Sequence, residues 1–328
     1  MNINNLLVYL PKSEYLNEAT SFYIDMLCEG ISNKESKIVY KLSELKGCDA
    51  VLVIDVKSFL FVKSRYPSMK VITWYQGIVP EEGLMFLNNS KIKFIYWSCF
   101  EFICLCFSFL NVFVSKAMHQ HYVNKYKYKR LGGVVIPCFN KGIDHSIANQ
   151  DRGFSFVYAG SLHKWQCIER MLSIFSAVQK KEPIATLEFY TFSVHDAEEL
   201  IKKYSLKNTN IKRVELKDVD KEISKSKYGF LIREDHIVNN VATPTKINTY
   251  LSVGTRPILT DVIFDFKEKI DKNLCVYVSL HDADEQIADL IIADYRIKIN
   301  ELSFASARKN VFANYYNRDG YIKMLREI

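Results

Sequence analysis

The chain has 328 residues, a length that favours two domains over one. Hydrophobic residues make up 48% and charged residues 25%, which excludes a disordered, collagenous or disulfide-stapled protein. The net charge of +7 is uneven: residues 1–150 carry 17 Lys/Arg against 12 Asp/Glu, and residues 151–328 carry 27 against 25.

The first residues, MNINNLLVYLPK, lack a basic region followed by a long apolar core; they read as a buried strand rather than a signal peptide. Apolar strand candidates then recur at Leu6–Tyr9, Ile38–Tyr40, Ala50–Val56, Lys70–Tyr75, Val112–Ser115 and Val134–Pro137. The segments Asn17–Glu29, Ser58–Tyr66 and Lys116–Lys127 between them suit helices. Strands apolar on both faces, alternating with helices, indicate a parallel sheet covered on both sides.

One stretch, "FIYWSCFEFICLCFSFLNVFVS" from Phe94 to Ser115, holds Glu101 as its single charge. Its 22 residues would be long enough to cross a bilayer. A central charge opposes that, and Asn111 divides the run, so a buried helix followed by a buried strand is the expectation. Peripheral contact of this aromatic helix with a membrane remains open, because basic neighbours such as Lys125–Arg130 suit an anionic lipid surface. The same basic run also suits a solvated helix end. No nucleic-acid module accompanies it, so nucleic acid is not an expected partner.

The eight cysteines form no Cys-x-x-Cys pair and read as small hydrophobes of a reduced, cytoplasmic protein. His119 and His121 lie two apart on a helix and point to different faces, so neither a metal nor a cofactor is expected. A polar segment, Asn140–Gly153, serves as linker. The strand–helix pattern then restarts with strands at Phe154–Tyr158, Thr186–Tyr190, Lys212–Leu216, Tyr228–Ile232, Pro257–Thr260 and Leu274–Val278. Helices are expected at Ala197–Tyr204 and Val219–Ser224, and another carries Ile168, Met171, Leu172 and Phe175 on one stripe. The domains are accordingly 1–145, 146–305 and a C-terminal helix in 306–328 that packs back on the first domain.

In open α/β sheets ligands bind beyond the carboxyl ends of strands, so the strand-to-helix turns carry the candidate chemistry. The first, Ala159–Gln166, offers Gly160 and Ser161 for close backbone approach, Lys164 as a mobile charge for phosphate, and Trp165 for packing on a ring or on the next helix. It has no G-x-G-x-x-G, which disfavours a dinucleotide cofactor. The second places Arg233, a planar fork for carboxylate or phosphate, beside Glu234, an acceptor for sugar hydroxyls. A surface loop of paired charges would look the same. The third, "ATPTKINTYLSVGTRPILT", reads as a helix with Thr243 as N-cap, Pro244 as first helical residue and Gly254 as C-terminal cap. Lys246 opposes the helix dipole, which suits an anion bound at the N-terminus. In the first half, "WYQGIVPEE" shapes a turn at Gly77 and brings Glu81 and Glu82 to a helix start.

Together these motifs resemble the GT-B glycosyltransferases, specifically the retaining family 4 enzymes of bacterial cell-surface polysaccharides. The likeness lies in "YAGSLHKWQ", "LIRED" and "ATPTKINTYLSVGTRPI", with "WYQGIVPEE" and "VFVSKAMHQHY" on the acceptor side, and spans roughly Leu6 to Pro257. It implies two Rossmann-like doubly wound parallel-sheet domains facing across a cleft, a UDP- or GDP-linked sugar donor, and a glycan or lipid-linked oligosaccharide acceptor at the inner face of the cell membrane. By the same resemblance Lys164, Lys246 and the helix N-terminus at Thr243, Pro244 and Thr245 would hold the diphosphate. Arg233, Glu234, Trp165, Thr249 and Tyr250 would border the donor, Gly77 would lie over the sugar, and the backbone at Val214–Leu216 would meet the base. Glu81 would be a polar partner of donor or acceptor. Two acidic residues of the family pattern are absent: their positions are Val241 and Thr249. A non-catalytic glycosyltransferase-like binding protein is the alternative that this departure suggests.

Overall fold

The computed structural model describes every residue except 1–2, 87–89, 130, 146–151 and 298–300. Arg130 of the basic run and the middle of the segment read as a linker therefore lie outside the described residues. The chain forms two compact units: Met1–Asn140 with Asn240–Thr243 and Asn317–Ile328, and Lys141–Asn239 with Pro244–Tyr316.

The first unit runs β1 (Leu6–Tyr9), α1 (Glu18–Ser32), β2 (Ile38–Val39), β3 (Ala50–Val53), α2 (Val56–Arg65), β4 (Lys70–Tyr75), α3 (Val79–Phe86), α4 (Lys91–Phe107), β5 (Leu110–Phe113), α5 (Lys116–Tyr126) and β6 (Val134–Val135). All strand pairs are parallel, in the order β2-β1-β3-β4-β5-β6. Helix starts follow local sequence: the side chains of Asn17, Asp55 and Ser115 accept the amides of Thr20, Ser58 and Met118, capping α1, α2 and α5. In the core, Tyr23 of α1 stacks on Trp74 of β4 with ring centroids 3.9 Å apart.

The long apolar run departs from expectation. Ser108, not Asn111, ends α4: its hydroxyl donates to the Cys104 carbonyl, while Asn111 lies inside β5 and bonds Tyr75, Leu105 and Gly132. The helix is not buried. Glu101 turns inward at 1% exposure, and several large apolar side chains face solvent. No described helix is long and apolar enough to cross a membrane.

The second unit contains β7 (Ser155–Ala159), α6 (Ile168–Lys181), β8 (Thr186–Tyr190), α7 (Val194–Lys203), β9 (Thr209–Lys212), α8 (Leu216–Ile223) and β10 (Tyr228–Leu231). Then follow α9 (Ile237–Asn240), α10 (Thr245–Ser252), β11 (Arg256–Thr260), α11 (Phe264–Lys269), β12 (Val276–Val278), α12 (Asp284–Arg296) and α13 (Glu301–Asn314). The predicted stripe of α6 is buried in a core with Phe156, Phe189 and Phe230. The strand expected at Lys212–Leu216 lies earlier, at Thr209–Lys212, where it pairs with β8; Leu216 opens a helix instead. Val214–Leu216 is thus a loop and helix start.

A last helix, α14 (Arg318–Arg326), belongs to the first unit and packs on α1. Arg318 pairs with Glu29 at 2.6 Å there, and Arg326 donates to Asn33 at 2.8 Å.

The second sheet, also parallel, reads β9-β8-β7-β10-β11-β12. Successive connections run outward from β7 in one direction and from β10 in the other. The point of reversal lies between β7 and β10, where helices diverge to opposite faces and leave a crevice beyond the strand ends.

Candidate functional site

Three elements bring side chains to that reversal point: the turn after β7, the turn after β10, and the first turn of α10. Lys246 on α10 donates to Oε1 of Gln166 at 2.7 Å and sits 4.1 Å from the centre of the Tyr158 ring. An ammonium over an aromatic face is held by the ring quadrupole. Tyr158 is itself fixed, its hydroxyl donating to the Ser161 carbonyl at 2.6 Å. Gly160 makes room. It adopts φ +155°, and a Cβ there would stand 2.6 Å from Nζ and 2.8 Å from Cε of Lys246. Gly160→Ala should therefore displace the ammonium and weaken the binding of an anion such as pyrophosphate at this turn by about tenfold, a loss of roughly 1.4 kcal/mol readable by titration calorimetry. Unchanged affinity would show that the lysine is not the ligand.

Arg233 follows β10 and is buried. Its amide donates to Thr260 Oγ1 at 3.0 Å, and the Thr260 hydroxyl donates back to the Arg233 carbonyl at 2.9 Å, which pins the backbone. The guanidinium Nη1 donates to the Trp165 carbonyl. Burial lowers the pKa of Arg233. Burial, and then the nearby Arg233 charge, hold Lys246 well below the ordinary lysine range. No carboxylate is among the groups that shift either one. Two desolvated cations that repel each other are costly to assemble unless an anion joins them.

The helix start provides more of the same. Thr243 does not cap α10: its hydroxyl donates to the Val114 carbonyl and accepts the Cys138 amide at 3.1 Å, inside the first unit. Pro244 is consequently the N-cap, not the first helical residue, and no side chain among the described residues caps the helix. The leading amides of α10 are left for another acceptor, as an anion site requires.

The other predicted residues divide. Ser161, Trp165, Glu234, Thr245 and Thr249 are half-buried around these turns, and Lys164 is exposed at the start of a short 3-10 helix. Thr249 lies three residues after Lys246 and shares its helix face. Trp165 stacks on His163 with centroids 4.4 Å apart and contributes its carbonyl to Arg233. Tyr250 is corrected to a packing residue: it is wholly buried, and its hydroxyl donates to the Phe230 carbonyl at 3.2 Å. Val241 is buried in the first unit, its carbonyl accepting from Ser115.

Gly77 and Glu81 belong to the first unit. The Glu82 carboxylate folds against the Gly77 Cα, where a Cβ would collide with Oε1, and accepts the Ile78 amide. Glu81 is buried between His121 at 3.0 Å and Lys125 at 2.9 Å. Its carboxylate is held by the Lys125 ammonium and the His121 ring, the usual state of a buried acid. Gln166, Tyr158 and Thr260 were missed by sequence reading. An amide, a strand tyrosine and a strand threonine carry no signal until folding brings them beside Lys246 or Arg233.

No protein-family profile and no curated protein sequence matches the chain. Solved structures do. HepE of Anabaena in complex with UDP-glucose superposes with a TM-score of 0.74 at 10% identity, over 98% of this chain and 98% of that one. WaaG, a glycosyltransferase involved in lipopolysaccharide biosynthesis, gives 0.69 at 9% identity over 98% and 99%. A mutant of S. aureus TarM, solved with fondaparinux, α-GlcNAc-glycerol and UDP, gives 0.65 at 12% identity; this chain is covered to 88% and spans 58% of TarM. The strand orders, the parallel pairing and these superpositions establish that the chain has the GT-B glycosyltransferase fold, with two Rossmann-like parallel-sheet halves.

Proposed function

We propose that the chain is a retaining, family 4-like glycosyltransferase that moves a sugar from a UDP- or GDP-linked donor to a lipid-linked glycan acceptor in cell-surface polysaccharide synthesis. The observation that carries the reading is the nearness of Lys246 and Arg233, with no carboxylate partner among the described residues, beside an uncapped helix N-terminus at the sheet's reversal point. The donor diphosphate supplies the missing negative charge. As the anomeric C–O bond to the β-phosphate breaks, negative charge grows on the leaving oxygen, and preorganised cations stabilise it most at that moment. The acceptor oxygen bonds to the anomeric carbon on the face the diphosphate leaves, and its proton passes to the departing phosphate oxygen. No protein nucleophile is needed, and with two fixed cations the charge neutralisation is metal-independent.

Exposed Lys164 adds a mobile third charge to the donor, and Thr249, one turn beyond Lys246, stands where the family carries a carboxylate toward ribose. Calorimetry with UDP, GDP and their glucose and N-acetylglucosamine conjugates, followed by mass measurement of products, tests this. Expected are binding of at least one nucleotide and loss of both binding and transfer in Arg233→Ala. Binding without transfer on any acceptor would favour the non-catalytic alternative, and no binding at all would overturn the reading.

A further inference from the structure

A lysine ammonium has three N–H donors on a flexible stem, so its neighbours must set where they point. At Lys246, Oε1 of Gln166 accepts one donor at 2.7 Å. The Tyr158 ring, its centre 4.1 Å from Nζ, covers a second side. Gly160 closes in so tightly that its backbone leaves no room for a Cβ beside Nζ. Gln166 is held in its turn. It ends the 3-10 turn Lys164–Gln166, its amide donates to the His163 carbonyl at 2.8 Å, and the following Cys167 amide donates to the Lys164 carbonyl at 3.1 Å. The carbonyl of the adjacent Trp165 accepts from Arg233. One short turn thus meets both cations, Arg233 through backbone and Lys246 through a side chain. The second contact alone depends on residue identity.

The chemistry of that side chain matters. Burial, and then Arg233, disfavour the charged form of Lys246. A neutral oxygen that accepts from the ammonium favours the charge without cancelling it. A carboxylate in the same place would favour the charge but neutralise its pull on an anion. The titratable groups gathered here are Tyr158 on β7, His163 and Lys164 on the turn, Cys167 at the start of α6, Arg233 and Glu234 beyond β10, and Tyr250 on α10. Burial raises the Tyr158, Cys167 and Tyr250 groups, so these three stay neutral beside the lysine.

We infer that Gln166 is a positioning residue of the donor site, acting through Lys246: it keeps the ammonium charged and aimed for a diphosphate oxygen. The inference deepens the donor reading above and rests on it. UDP affinity is measured by calorimetry from about pH 6 to about pH 10, with melting temperature, for the wild type, Gln166→Leu and Gln166→Glu. Gln166→Leu should weaken UDP binding by about tenfold near neutral pH. Its affinity should also decline at lower pH than that of the wild type, because Lys246 then gives up its proton more readily. Gln166→Glu should weaken binding too, yet its decline should come at higher pH, since the introduced carboxylate holds the proton on Lys246. The titration of UDP itself cancels in these comparisons. In a Lys246→Met background Gln166→Leu should cost nothing further. A glutamine that merely braces the turn would lower the melting temperature and leave the three pH profiles superimposed. The inference is overturned by wild-type affinity in Gln166→Leu, by pH profiles that coincide or move in the same direction, or by full additivity with Lys246→Met. Variants that match a UDP-binding wild type defeat this inference alone; a wild type that binds no nucleotide defeats the donor reading and this inference with it.

Discussion

Lys246→Met is expected to lower UDP affinity by about 100-fold or more, roughly 2.7 kcal/mol, while leaving the ligand-free protein at least as stable as wild type. The two effects have one cause. In the free protein the ammonium is desolvated and lies near a second cation, so a methionine of similar length relieves an unfavourable charge. With the diphosphate bound, the same charge becomes a principal ligand. Thermal melting and calorimetry on one preparation read both quantities. A variant that melts far below wild type yet retains nucleotide affinity would make Lys246 a structural residue and sink the assignment.

The protonation of Lys246 supplies an independent check. Its pKa in the folded, unliganded chain lies below the ordinary value of 10.5, first through burial and then through Arg233. The folded state therefore binds fewer protons than the unfolded one between the depressed value and 10.5, and the lysine's contribution to stability rises with pH across that window. A bound diphosphate restores the charged form. Nucleotide binding should accordingly take up a proton within the window and none well below it, measured by calorimetry in buffers of different ionisation enthalpy. Equal heats in every buffer across the alkaline range would contradict the contact.

Lys125→Met is expected to cost about 3–5 kcal/mol of unfolding free energy at neutral pH, by urea denaturation. The lysine lies between two buried carboxylates, at 2.9 Å from Glu81 and 2.8 Å from Glu101. Burial acts to raise the pKa of Glu81, but the bonds from His121 and Lys125 overcome it and hold the group below its ordinary value. Such an acid adds stability above its unfolded pKa and loses it as pH falls through the folded one. Burial prevails at Glu101, whose pKa stays raised even beside Lys125. Without the lysine both carboxylates move up and become protonated in mild acid, so the deficit against wild type should shrink as pH falls toward 5. A deficit under about 1 kcal/mol at pH 7 would mean that the cluster is solvated in practice.

Much of the architecture is legible in residue order. Short Val- and Ile-rich runs alternating with amphipathic segments specify two parallel sheets, because strands covered on both faces must be apolar throughout. The stripe of α6 and the caps at Asn17, Asp55 and Ser115 are local patterns. The proposed anion site was half legible: Gly160 and Arg233 each follow a recognisable strand and Lys246 opens a recognisable helix, but Gln166 lies 80 residues from Lys246 in the chain.

Where local signals misled, distant partners had the stronger claim. Thr243 has the spacing of a cap, yet Val114 and Cys138 take its hydroxyl, which is why α10 begins open. In α4 the hydropathy of the run is apolar almost all round, so it cannot say which side faces in. Lys125 and Tyr126 on α5 decide that by drawing Glu101 inward. By itself, then, the sequence determined the layered α/β plan and the turns that could carry charge, because periodicity and turn chemistry act over a few residues. The tertiary structure alone decided which cations share a site and which apolar face stays outside. Desolvation and pairing of a buried charge depend on groups that only the fold brings within bonding distance.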